Sequence, residues 1–297
     1  MGISQYIKEI GRGPRGSKPL TREQAADLFG QLLDGNVTDL EIGAFCLAMR
    51  IKGETPEEMC GFLDAAHSRM ALFPASDRPV IVLPSYNGAR KLPVLTPLLA
   101  LLLAREGLPV LLHGMRTEAR RTLASDVLLA LGVPALTAPE KIATGSVAHI
   151  ETGYLHAALA RLLKVREVVG LRNAGHSIVK LMNPCAGPAV VVTSYTHPEY
   201  YDMLQATFGA LHMTALLSRG LEGEVATDPR RTPRYDAFVA GVHQLLQEQQ
   251  PGTAADVPGL PTEIDIDTTA RYTQDVLDGR LPVPPALAQR VEHILHL

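Results

Sequence analysis

The hydrophobic period of this chain changes once, near Pro79, and that change limits what the chain can fold into. Before it, apolar residues recur every three or four positions behind "TREQ" (Thr21–Gln24), "TDLE" (Thr38–Glu41) and "TPEE" (Thr55–Glu58). Each tetrad fits a capping box, in which a threonine hydroxyl and a Gln or Glu three residues on satisfy the first free N–H groups of a helix. Pro56 also suits the first helical position. After Pro79 come continuous apolar runs: "PVIVL" (79–83), "LPVLL" (108–112), "AVVVTSY" (189–195) and "MTALLS" (213–218). Helical stretches such as "DVLLALG" and "YYDMLQATFGALH" separate them. Buried strands alternating with helices predict a mainly parallel sheet covered on both faces. The fold class expected is therefore α/β, with a small helical domain at residues 1–74 and a larger sheet domain at 75–297. Residues 151–184 read as long and helical without an obvious strand. They are expected to pack back on the helical domain, leaving a cleft.

A chain of 297 residues with 46% hydrophobic content can bury a large core. Cys46, Cys60 and Cys185 form no C-x-x-C pair and read as reduced core residues. The N-terminal "MGISQYIKEIGRG" lacks the apolar core of a signal peptide. The most apolar stretch, Leu98 to Ala104, stops at Arg105, too short to cross a bilayer. A cytoplasmic protein is expected. The net charge of −3 hides a separation of signs. Residues 85–125 hold Arg90, Lys91, Arg105, Arg116, Arg120 and Arg121 against Glu106 and Glu118, whereas the tail from residue 245 has eight acidic residues against three arginines. Local field, not net charge, governs the attraction of a polyanion.

Few motifs carry chemistry. "GRGPRG" (Gly11–Gly16) matches a dinucleotide fingerprint in letters only: it follows a helical segment, and Pro14 stands where a nucleotide-binding helix would begin. The loop "LPSYNGARKLP" (Leu83–Pro93) is more informative. It follows the first strand, where phosphate-binding loops of α/β proteins lie, yet has one glycine, Gly88, beside Tyr86, Asn87, Arg90 and Lys91. "LHGMRTEARR" (Leu112–Arg121) follows the second strand and lies at the same carboxyl edge of the sheet. Arg116 and Arg120 are expected to converge there with Arg90 and Lys91. "GLRNAGHSIVK" adds Arg172, His176 and Lys180 on one helical face. His113 and His176 have no metal-ligand spacing and read as structural.

At this point the residues resemble a family. "LTREQAADLFGQLLDGNVTDLEIGAFCLAMRIKGETPEEMCGF" is similar to the helical domain of the anthranilate phosphoribosyltransferases, glycosyltransferase family 3. The similarity continues through "HGMR" and "SDVLLALG" to "VREVVGLRN". The fold it implies is that of nucleoside phosphorylases and class III phosphoribosyltransferases. "IKEIGRG", "PSYNGARK", "GLRNAGHSIVKL", "HPEYY" and "GLEGEV" resemble the YbiB-like DNA-binding subgroup. In the enzymes the first loop reads G-T-G-G-D and its amides cradle pyrophosphate; this chain has "SYNGA". Their N-I-S-T becomes "LPVLT", which keeps Thr96. Their adjacent Asp-Glu pair for magnesium becomes Glu222 and Glu224 with Gly223 between. Arg166 falls where the enzymes recognise the aromatic acid.

The resemblance implies a homodimer that binds nucleic acid, single-stranded DNA or RNA, with little sequence preference. No catalytic residue, cofactor or metal is expected, and Glu222 and Glu224 are only weak metal candidates. The phosphate-binding residues expected are Tyr86, Asn87, Gly88, Arg90, Lys91, Arg116, Arg120, Arg172, His176 and Lys180, with Tyr86 offering a face to a base. The first capped helix, through Leu28, Phe29 and Leu32, is the expected dimer surface. The alternative is a magnesium-dependent phosphoribosyltransferase acting on anthranilate or a related nucleobase acceptor.

Overall fold

The three threonine caps set the helical part of the molecule. A computed structural model describes every residue except Met1, Pro14, Leu221 and Thr227. The readings made above of Pro14 in "GRGPRG" and of Leu221 in "GLEGEV" thus lie outside the described residues. Helix α1 (Ser4–Ile10) precedes α2 (Arg22–Leu33), α3 (Asp39–Lys52) and α4 (Pro56–His67). In each of the last three the threonine hydroxyl accepts from the third helical N–H, and a side-chain oxygen of the Gln or Glu accepts from the threonine N–H, as the tetrads require. Phe29, Phe45 and Phe62, one per helix, meet at centroid separations of 5.0 to 6.1 Å in the middle of the bundle.

The remaining chain builds an eight-stranded sheet. Its strands are β1 (Val80–Ser85), β2 (Val110–Gly114), β3 (Ala135–Leu136), β4 (Val147–Glu151), β5 (Ala189–Tyr195), β6 (Ala215–Arg219), β7 (Tyr235–Val239) and β8 (Val242–Gln247). Their order is β3-β4-β2-β1-β5-β6-β7-β8. The pairs from β3 to β6 are parallel and the last two antiparallel. The four apolar runs are β1, β2, β5 and β6; every residue of β1 is buried because both edges are paired and both faces covered. The short β3, the partly exposed β4 and β8, and β7, whose buried stretch is broken by Asp236, lack such runs and leave no comparable mark in the sequence. Between β1 and β5 the strand order reverses direction. Ligands of open α/β sheets bind at the carboxyl ends of strands at such a switch point.

Helices α5 (Thr96–Arg105), α11 (Ile266–Leu277) and α12 (Pro285–Leu295) cover one face; α6 (Ala124–Ala130) packs beside them, and α10 (Tyr200–Ala210) lies against the other face. Residues 151–184 are three helices rather than one: α7 (Thr152–Leu155), α8 (Ala157–Val169) and α9 (Gly175–Ile178). They join the bundle to the sheet. Ala71 donates its N–H to Leu155 O at 2.9 Å, and Phe73 exchanges backbone hydrogen bonds with Pro184 and Ala186. Leu28, Phe62, Leu159, Ile178, Val82 and Phe208 belong to one continuous core. Leu28, Phe29 and Leu32 are inside it, at most 2% exposed, which corrects their assignment to a dimer surface. The amphipathic stripe that made them conspicuous faces α4 instead.

Glu58 ties this region together. Its fully buried carboxylate accepts from Lys52 Nζ at 2.5 Å, from the N–H of Thr55 and from the N–H of Leu20. Glu58→Ala strands a nearly buried ammonium and two N–H groups. It should cost about 3–5 kcal/mol in urea unfolding, well beyond the ~1 kcal/mol of an ordinary lost cap.

Candidate functional site

The β1 loop and the β6–β7 loop interlock at the carboxyl edge of the sheet. The backbone N–H groups of Asn87 and Gly88 both donate to Glu224 Oε1, at 2.9 and 2.8 Å. The hydroxyls of Ser85 and Thr96 donate to Glu224 Oε2, at 2.7 and 3.1 Å. Close by, the N–H groups of Arg90 and Lys91 donate to Glu222 Oε2, each at 3.0 Å. Asn87 Nδ2 donates to Glu222 O at 2.6 Å. Two carboxylates of the chain itself thus take up the backbone donors that a loop in this position offers to an anion.

Backbone conformation delivers them. Glu222 and Gly223 are both left-handed, with φ of 57° and 81°, so the chain turns sharply and Glu222 and Glu224 both reach the β1 loop. At residue 223 even a methyl group would meet Asn87 Nδ2 at 1.9 Å and Lys180 Nζ at 2.7 Å. Only glycine fits there. The non-glycine Glu222 in this conformation is the kind of local strain that surrounding contacts must hold.

The site residues anticipated from sequence separate into three groups. Asn87 and Gly88 are buried and their N–H groups serve Glu224, which corrects their role as external phosphate ligands. Tyr86 is 1% exposed. Its hydroxyl bonds His113 Nδ1 at 2.8 Å and Thr152 Oγ1 at 2.9 Å, so it offers no face to a base, and burial pushes its phenol well up. Arg116 is turned aside: it pairs with Asp126 at 2.5 Å and donates to Arg121 O. The second group, Arg90, Lys91 and Arg120, is exposed, and Arg90 alone has an acidic partner, Glu222, at 3.5 Å.

The third group is Arg172, His176 and Lys180, which share one cavity wall, though on a four-residue helix and its flanks rather than on one long helix. Burial, followed by repulsion from Arg172, pushes His176 down to about 3, so it is neutral rather than cationic. Burial and Arg172 also push Lys180 down to about 8, and its Nζ donates to Gly223 O at 3.1 Å.

A cluster that sequence reading left out lies beside them. Glu118 accepts from Arg121 and Arg166, both at 2.7 Å, and Arg172 stands at 3.6 Å. Burial pushes its carboxyl up, but the guanidiniums of Arg166 and Arg121 outweigh that and hold it below the usual range. Three guanidiniums share one carboxylate, leaving a surplus of positive charge at the mouth of the cleft. The i, i+3 spacing of Glu118 and Arg121 in "RTEARR" was the available signal; the meeting with Arg166 and Arg172 is tertiary. Cys46, Cys60 and Cys185 are free and buried. Among the described residues no helix is long and apolar enough to cross a membrane.

Comparison with known proteins places this architecture. Residues 4–70 match the family model described as glycosyl transferase family, helical bundle domain. The chain is 37% identical over 294 residues to "Uncharacterized protein YbiB" of Escherichia coli K12, covering 97% of this chain and 91% of that one. It is 28% identical to an anthranilate phosphoribosyltransferase of Persephonella marina, over 94% and 83% of the two chains. Among solved structures, the anthranilate phosphoribosyltransferase of Thermus thermophilus superposes with a TM-score of 0.73 at 22% identity, covering 96% of this chain and 85% of the other. The Saccharomyces cerevisiae enzyme in complex with PRPP and Mg superposes at 0.68 and 14% identity, over 96% and 84%. The fold is thus that of the anthranilate phosphoribosyltransferases, glycosyltransferase family 3. Within that family the chain is a YbiB-like member.

Two buried neutral imidazoles make the site acid-sensitive. Burial pushes His113, like His176, down to about 3. In the unfolded chain an imidazole takes up its proton near pH ~6.5, so between ~6.5 and ~3 the unfolded state binds more protons. Stability therefore falls as pH drops through that window, by up to about 1.4 kcal/mol per pH unit for each histidine, and these groups contribute no slope above it. Urea midpoints at about pH 7, 6 and 5 should decline stepwise in the parent and less steeply in His176→Asn.

Proposed function

We propose that this protein is a homodimeric nucleic-acid-binding protein with little sequence preference, built on a phosphoribosyltransferase fold. The observation that carries the reading is the inversion of donors at the switch point. The loop amides are engaged by Glu222 and Glu224, while the side chains of Lys91 and Arg120 are exposed and that of Arg90, paired with Glu222, is exposed beside the Glu118 cluster. A compact pyrophosphate needs convergent backbone donors. Dispersed guanidinium and ammonium groups suit an extended chain of phosphates, which they position without reading bases.

The magnesium-dependent transferase is the weaker reading. Magnesium requires nearly ideal octahedral geometry and usually enters through one or two free carboxylates. Both carboxylate oxygens of Glu224 are committed to β1, its loop and the start of α5, and of the two residues only Glu222 Oε1 lacks a hydrogen bond. That donor set does not fit a paired metal site. Titration calorimetry of phosphoribosyl pyrophosphate with magnesium should give no strong binding; a micromolar, metal-dependent affinity would favour the transferase.

A second copy of the chain fits the outer face of the bundle. Leu40, Leu47 and Ile51 on α3 are 47% to 82% exposed, and Val168 at the end of α8 is 90% exposed. Gly43 between them has open space above it. This apolar stripe replaces the first capped helix as the dimer surface. Sedimentation should give a dimer at micromolar concentration, and Leu47→Glu with Val168→Glu should give a folded monomer.

The deciding experiment is a salt titration of binding to short single-stranded oligonucleotides. Arg90→Ala with Lys91→Ala should weaken every sequence by a similar factor and reduce the log–log salt slope by about 0.7 per lost contact. Parental affinity and slope in that variant would move the site elsewhere, with the basic segment from Lys8 to Arg22 next.

A further inference from the structure

The cation rim borders a cavity that phosphate contacts alone leave unused. It has a volume of about 340 Å³ and lies between the end of α3 and the carboxyl end of β5. That is near the lower limit of small-molecule sites, about 300 Å³. Arg172, Thr196 and His197 line both this cavity and the shallow trench formed by Arg90, Arg121 and Glu118. A strand tracking the trench therefore passes the cavity mouth.

The lining is mixed rather than purely cationic: Arg50, Arg172 and Lys180 share it with Glu54, Met203 and Leu204. Lys180 is committed to Gly223 O and Arg172 stands at the rim towards Glu118. The deeper wall includes Met203, Leu204 and His176, the last only 7% exposed. His176 Nδ1 faces Asn173, 3.3 Å from its N–H and 3.2 Å from its Oδ1. His176 Nε2 has no partner within the protein. Glu54 adds a carboxyl whose pKa burial pushes up. The rings of His197 and Tyr200, from the "HPEYY" segment, stand 6.4 Å apart at the mouth. Aromatic faces at the mouth, an apolar patch from Met203 and Leu204 and many polar side chains around them suit a planar ring with a polar edge.

We propose that the cavity receives one unpaired nucleobase of a bound single strand while its flanking phosphates lie on Arg90, Arg121 and Arg172. This rests on the nucleic-acid reading above and adds to it a preference for single strands, since a paired base cannot enter without leaving its stack. The base is held by ring faces and a shared polar edge, so any base is accepted, consistent with little sequence preference.

The test uses the full chain and single-stranded oligonucleotides carrying 2-aminopurine at successive positions. One position should change its emission on binding. Ser177→Phe, which fills the cavity from its wall, and Tyr200→Ala should each abolish that change and weaken single-strand binding roughly tenfold, with the salt slope intact. Duplex binding should be unaffected, which also reports that the variants are folded. An oligonucleotide abasic at that position should lose affinity as the variants do. If the parent binds strands but the variants and the abasic strand bind equally well, the cavity is not a base site and the rim reading stands. If the parent binds no strand, both readings fall.

Discussion

The carboxylate of Glu224, held by two backbone N–H groups and two hydroxyls, is the interaction on which the candidate site depends. It is a buried anion satisfied on every described side, the condition under which a buried charge stops being a liability. Its partners come from β1, the β1 loop and the first turn of α5, so the carboxylate fixes the loop against the sheet. That fixation sets where Arg90 and Lys91 leave the surface. The same loop without an internal anion would present free N–H groups inward and have no reason to hold its cations outward.

Much of the fold was legible because its strongest signals are local. Thr21, Thr38 and Thr55 each specify a helix start from four residues, and β1, β2, β5 and β6 announce themselves by unbroken apolar runs. β8 does not: Val242, His243, Gln244 and Leu245 are exposed on an antiparallel edge, so burial imposes no pattern on them, and in β7 the buried Asp236 breaks the apolar run. The break of residues 151–184 into α7, α8 and α9 was hidden for another reason. His156 and Gly170 end helices by backbone geometry, φ −157° and 74°, within sequences of good helix formers.

The site was legible in its residue types and less so in their roles. Composition correctly marked the loop as cationic and poor in glycine. It could not reveal that Tyr86 turns inward to His113 and Thr152, because an aromatic residue in a polar loop suits a stacking platform and a buried plug equally well. Nor could Glu222 and Glu224 be read as partners of residues more than 130 positions away. Separation along the chain erases such pairings from local pattern, whereas the Glu118–Arg121 pair, three residues apart, remained visible.

The core shared by the bundle, α7 to α9 and the sheet has a kinetic consequence. A cleft whose two walls hinge on a flexible linker can close over its ligand, and its association is then gated by opening and closing. Here Leu28, Phe62, Ile178 and Val82 pack as one body, so the walls cannot part without exposing apolar side chains to water. On the proposed reading, a polyanion would meet a preset field rather than a lid, and its encounter rate would follow ionic strength and orientation.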